Sequence, residues 1–234
     1  MGAYSAKLAA MILRSSIAQQ GEARMIVATG SSQFEVLESL IKEPEIDWTK
    51  IDAFHLDEYV GIGKDHPASF CGYLKERFVD RVPLRSFHYL DGLADPNQVC
   101  AEATDKLLAG PIDVAMIGIG ENAHLAFNDP PADFETEASY HVVKLDEACR
   151  KQQVGEGWFG SMDEVPTHAI SMTIHRIMQS RKIICSVPDE RKAVAVRDSV
   201  DGAVNPMVPG SILKRHPNAT LVLDRPAASL LKPL

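Results

Sequence analysis

The chain has 234 residues, 45% of them hydrophobic, with 24 lysines and arginines against 32 aspartates and glutamates for a net charge of −8. That mixture can bury a full core, which excludes disorder, collagen and coiled coil as overall classes. The acidic balance argues against a nucleic-acid partner, no apolar run approaches the roughly 18 residues of a membrane span, and no charged-then-apolar leader opens the chain.

Ala6–Gln19 has helical periodicity. Arg24–Thr29 is the first β-branched apolar run and reads as a buried strand, followed by a helical stretch at Gln33–Lys42. Ile51–Asp57 reads as the next strand; helices follow at Ser69–Val82, just after Pro67, and at Asn97–Leu108, after Pro96. Ile112–Ile117 is a third apolar strand. Glu121–Thr167 then breaks the rhythm, polar and rich in Gly, Pro and acid, as lids and binding loops are. Lys182–Val187, a helix at Asp189–Val200 and a last strand at Ala219–Asp224 complete the pattern. Alternating helices and continuous apolar strands predict one α/β domain over 1–234, a mostly parallel twisted sheet with helices on both faces. The cysteines, Cys71, Cys100, Cys149 and Cys185, lie far apart without a C-x-x-C pair, as in a reduced cytoplasmic protein. No Cys/His set has zinc spacing, so no metal is expected. Nothing in the sequence indicates self-association.

Ligands of such sheets gather beyond the carboxyl ends of the strands, and four strand ends carry unusual residues. Thr29-Gly30-Ser31-Ser32 pairs a glycine turn with two hydroxyls at a helix start, which suits a phosphate and equally a serine-capped turn. His55-Leu56-Asp57-Glu58 closes a strand with two acids. A half-buried Asp57 can take a proton from carbon beside a carbonyl, or the pair can cap the next helical turn. Gly118-Ile119-Gly120-Glu121-Asn122-Ala123-His124 lacks the third glycine of a dinucleotide site, and Pro130 soon follows, so no nicotinamide cofactor is expected. What remains is His124 flanked by Asn122 and Asp129, partners able to orient an imidazole as a general acid/base. Glu190-Arg191-Lys192 heads a helix where Lys192 can offer a point charge to an anion, or simply face solvent. His66 and His88 read as surface, and His141, His168, His175 and His216 take no role.

These motifs occur in a familiar order. A-T-G-S-S (Ala28–Ser32), H-L-D-E-Y-V-G (His55–Gly61), G-I-G-E-N-A-H-L-A-F-N-D-P (Gly118–Pro130) and E-R-K-A-V-A-V (Glu190–Val196) resemble the glucosamine-6-phosphate deaminase/isomerase family, with weaker agreement through Val165–Ile174. The resemblance implies an enzyme that turns an amino-sugar 6-phosphate into the ketose 6-phosphate and ammonia without metal or redox cofactor. It implies that Asp57 moves a proton between C2 and C1, and that His124, supported by Asn122 and Asp129, opens the ring. Gly30, Ser31, Ser32 and Lys192 would hold the phosphate, with a lid at about 134–166. The chain departs from the family pattern in having Ser31-Ser32-Gln33 where Gly-Thr-Pro is usual, Ala123 for a glycine and Asp129 for a glutamate. The arginine that often helps bind phosphate has no clear match, Arg150 being nearest. Two other readings stay open: the sister 6-phosphogluconolactonases, and a non-catalytic sugar-phosphate sensor.

Overall fold

A computed structural model describes residues 1–232. The chain opens with α1 (Gly2–Gln20), which ends where Gly21 takes the left-handed conformation (φ 83°) that glycine alone adopts freely. β1 (Ala23–Val27), β2 (Ile51–His55), β4 (Ser86–His88), β5 (Val114–Ile117), β8 (Ile183–Val187) and β9 (Ala219–Leu223) form one six-stranded sheet in the order β4-β2-β1-β5-β8-β9. Every pairing in it is parallel. The sequence places five of these strands. β4 was not anticipated because it is a three-residue, half-buried segment without an apolar run. His88 lies in it, half-buried and stacked on Phe54 at 4.7 Å, so it is not the surface residue expected.

Alternation along the strands sends Met25 and Val27 to one face and Ile26 and Ala28 to the other, and each face builds its own core. On the first face lie α1, α2 (Phe34–Leu40) and α3 (Phe70–Arg77), through Ala6, Leu13, Leu37 and Leu74. On the second lie α4 (Pro96–Leu108), α6 (Ile174–Met178) and α7 (Ala193–Asp201), through Val99, Leu107, Ile177 and Val196. Among the described residues no helix is long and apolar enough to cross a membrane.

A second sheet departs from expectation. β3 (Asp57–Tyr59), β6 (Tyr140–Lys144) and β7 (His168–Met172) form an antiparallel trio in the order β3-β7-β6. The expected strand Ile51–Asp57 is therefore broken at Leu56. The Leu56 N–H donates to Val27 O (3.3 Å) in the large sheet, and its carbonyl accepts from Met172 N (2.9 Å) in the small one. The supposedly irregular 121–167 stretch likewise carries β6 and α5 (Glu147–Gly155), whose start is capped by Asp146 accepting from Cys149 N.

The chain runs outward from β1 in both directions, to β2 and β4 on one side and to β5, β8 and β9 on the other. The topological switch point lies between β1 and β5, and the crevice at their carboxyl ends is where this architecture places ligands.

Candidate active site

A pocket occupies that crevice. The ends of four parallel strands supply its floor: Thr29–Ser32 after β1, Leu56 and Asp57 after β2, Gly118–Gly120 and His124 after β5, and Pro188 and Lys192 after β8. Gln152, Gln153, Glu156 and Trp158, from α5 and the turn beyond it, form the opposite wall. Of the residues singled out from sequence, Gly30, Ser31, Ser32, Asp57, His124 and Lys192 line this one pocket. Asn122 and Asp129 stand behind His124.

The turn after β1 depends on its glycine, because Gly30 has φ 89° and ψ 168°, a region closed to other residues without strain. Ser31–Gln33 then make a 3₁₀ turn into α2. Gln33 is buried and donates from Nε2 to Ile117 O (3.1 Å), tying this turn to the end of β5. A Cβ on Gly118 would stand 2.8 Å from Ser32 Oγ, so glycine there lets the two strand ends approach. Across the switch point, Glu190–Lys192 form a 3₁₀ turn at the head of α7. Arg191 points outward and pairs with Asp189 (2.8 Å), while Lys192 turns inward and is 5% exposed. Burial lowers the Lys192 pKa, and the nearby Glu156 and Glu121 pull it back up.

The two acids after β2 have separate jobs. Glu58 is buried, and its carboxylate accepts from Tyr59 N (2.8 Å), Phe70 N (3.2 Å), Cys71 N (2.7 Å) and Ser69 Oγ (2.9 Å). It therefore anchors the first turn of α3; burial raises its pKa and these donors pull it back. Replacing Glu58 by glutamine turns one acceptor into a donor facing donors. At about 1.5–3 kcal/mol per charge-assisted bond, thermal unfolding should fall by roughly 5–15 °C, and a melting curve within about 2 °C of the parent would refute the assignment. Asp57 has no such donors among the described residues. Asp57 is 6% exposed and lines the pocket, and its pKa is pushed up to about 8, first by burial and then by the neighbouring Glu58.

His124 is held from both sides. Its Nδ1 lies 3.2 Å from Asp129 Oδ1, a close contact outside hydrogen-bond geometry, while Asp129 Oδ1 accepts from Asn122 Nδ2 (3.0 Å) and Asn122 Oδ1 accepts from His124 N (3.1 Å). Asp129 Oδ2 takes the Asp146 N–H (3.3 Å), and these donors and the imidazole hold the Asp129 pKa below the usual range despite burial. A Cβ on Gly120 would come within 2.3 Å of the His124 ring, so the ring packs directly against a bare backbone. The loop is tightly wound: Ala123 (φ 68°) and Ala126 (φ 52°) are both left-handed. Ala123 bears the usual penalty of about 1–2 kcal/mol for a side chain in that region, offset in part because its methyl is buried in the core. Asn128 pins the loop to β7 by donating to Met172 O (2.8 Å).

Two groups of metal-ligand type bring their donor atoms within 4.8 Å of one another, His55 with Glu58 and Cys71, and His124 with Asp129 and Cys149. In each the carboxylate is already engaged by the protein donors given above. Arg150 does not reach the pocket; its guanidinium donates to Met162 O and to Val165 O (3.0 Å) and fastens the turn after α5. The wall residues Gln152, Glu156 and Trp158 were not anticipated. The signal available for them was the capped start of α5 at Asp146 and the Gln152/Glu156 spacing of one helical turn.

The family description "Glucosamine-6-phosphate isomerases/6-phosphogluconolactonase" matches residues 1–222. The chain belongs to this family. Within the isomerase/lactonase family, the glucosamine-6-phosphate deaminase of Clostridium acetobutylicum is 37% identical over 232 residues, covering 96% of this chain and 95% of the relative. That of Oenococcus oeni is 35% identical over 214 residues, covering 91% and 89%. A solved structure of a monomeric glucosamine-6-phosphate deaminase has a TM-score of 0.87 at 30% identity, covering 98% of this chain and 97% of that one. The 6-phosphogluconolactonase of Trypanosoma brucei has a TM-score of 0.76 at 16% identity, covering 99% and 96%, a likeness of fold alone.

Proposed function

We propose that the pocket converts glucosamine 6-phosphate to fructose 6-phosphate and ammonia. The observation that carries this reading is Asp57, a buried carboxyl with no donor among the described residues, raised to about 8, in the same pocket as a histidine whose Nδ1 lies 3.2 Å from Asp129. His124 shuttles the proton of the ring oxygen and opens the sugar to its aldehyde. The carbonyl acidifies the proton on C2. Asp57 removes it and returns it to C1 while a proton of the amine passes to the C1 oxygen, leaving a C1 hydroxyl and an imine at C2 that water hydrolyses to the ketone and ammonia. C2 is oxidised as C1 is reduced, so the step needs no external electron carrier. The Gly30–Ser32 turn and Lys192 anchor the phosphate and orient the chain of carbons. The part of the 134–166 stretch that acts as a lid is α5 with the turn to Trp158, since β6 is bound into the small sheet.

The deaminase reading is favoured over lactone hydrolysis by the relatives at 35–37% identity, which are deaminases, while the lactonase likeness is one of fold. The experiment is direct: mix the protein with glucosamine 6-phosphate and assay ammonia and fructose 6-phosphate. Hydrolysis of 6-phosphogluconolactone without ammonia from the amino sugar would move the assignment to the sister activity, and binding without turnover to a sensor. Because a remote anchor contributes mostly uniform binding, Lys192→Ala should raise KM about tenfold or more with kcat within about threefold. Steady-state kinetics showing the opposite split would remove Lys192 from the phosphate site.

A further inference from the structure

Lys192 is the only lysine or arginine among the described residues that line the pocket, and it already has company. Glu156 Oε1 lies 3.6 Å from Lys192 Nζ, and Glu121 Oε1 lies 3.9 Å away. Glu156 is no passing surface group. Its side chain is 8% exposed, Oε1 accepts from Gln152 Nε2 (2.8 Å) and Oε2 accepts from Trp158 Nε1 (3.2 Å). Both distances to Nζ exceed the roughly 2.7–2.9 Å of a charge-assisted hydrogen bond, so the lysine holds the carboxylates loosely. An anion bonded to Nζ at about 2.8 Å would stand no more than about 6.4 Å from Glu156 Oε1, close enough for repulsion where both side chains are buried.

We propose that Glu156 is a specificity-determining residue that competes with the substrate's phosphate for Lys192, so that phosphate binds by displacing Glu156 and loosening the last turn of α5 and Trp158. This rests on Lys192 being a phosphate ligand, as proposed above. The consequence is discrimination by size. A small free anion, whose main cationic contact is Lys192, meets the competing carboxylate with little else to offset it. A sugar phosphate adds the Gly30–Ser32 turn and its own hydroxyls, and overcomes it. The pocket thereby binds inorganic phosphate weakly and favours a phosphorylated polyol over it.

The test uses inorganic phosphate, so it needs no turnover. By calorimetry, Glu156→Gln, which keeps shape and an acceptor but drops the charge, should bind phosphate at least about tenfold more tightly than the native chain. Glu121→Gln, farther away and more exposed, should gain less than about threefold. Equal or weaker binding by Glu156→Gln, or no binding by either protein, overturns the proposal. Should Glu156→Gln fail to fold, the native chain still decides. It has two tryptophans, and Trp48 is buried in the core of the first face, away from the pocket. Phosphate should therefore change the Trp158 emission with the same midpoint as the heat of binding, and Trp158→Phe should abolish that change. Saturable binding with unaltered emission means that Glu156 stays in place and the proposal is wrong. Ammonia release is assayed separately. A chain that shows these effects but releases no ammonia loses the deaminase reading and keeps this one, and the converse loses only this one.

Discussion

Asp57→Asn is expected to lower kcat by about 10²–10⁴-fold with little change in KM, the usual contribution of a general base. Asparagine keeps the shape and polarity of the side chain and removes its basic site. The pH dependence carries the same signature. In the folded chain the carboxyl, raised from 3.8 to about 8, stays protonated over most of the range below 8 and becomes a base as pH rises. kcat/KM should therefore climb with pH along a limb governed by this group, and the limb should vanish in Asp57→Asn. Stability should move the other way. A folded-state pKa above the unfolded one means that the folded chain holds the proton more tightly, so the contribution of this group is full below about pH 4 and is lost between about 4 and 8. Each tenfold gain in proton affinity corresponds to about 1.4 kcal/mol, so the loss amounts to a few kcal/mol, and at pH 9 Asp57→Asn should melt above the native protein. Solvent-deuterium incorporation at C1 or C2 decides the matter: exchange at the parental rate in Asp57→Asn would show that another group is the base.

The second large effect concerns the floor beneath His124. Gly120→Ala places a methyl where the His124 ring lies. The ring must leave its position against Asp129, and turnover of the closed sugar should fall about 10²–10³-fold, close to the loss in His124→Gln. Proton exchange in an open-chain analogue should be affected far less by either change, because ring opening is then bypassed. Equal losses on both substrates would show that His124 serves a later step. A fully active Gly120→Ala would show that its clamped orientation is unimportant.

Much of this site is legible from the chain alone because its fold is a parallel sheet. Parallel strands must end on the same edge, so residues after apolar runs share a neighbourhood whatever their separation in sequence. That is why Gly30, Asp57, His124 and Lys192 line a single pocket. Local spacing also binds Asn122, His124 and Asp129 into one loop. The two acids at 57 and 58 are different. Their types and adjacency are plain, but which one is anchored and which one faces the pocket depends on the start of α3 arriving with three donors for Glu58, beside the neighbouring Tyr59 N–H.

By itself, then, the sequence determined the alternation of helices and buried strands, the edge where the pocket forms and the residue types that stand there, since apolar periodicity and strand direction are local properties. The tertiary structure alone decided the rest. It breaks the second strand at Leu56, because the small antiparallel sheet captures its carbonyl and turns Asp57 toward the crevice. It brings Glu156 against Lys192 across 36 positions of chain, because α5 packs over the strand ends. Such contacts arise from docking between elements, and no pattern within either element encodes the distance between them.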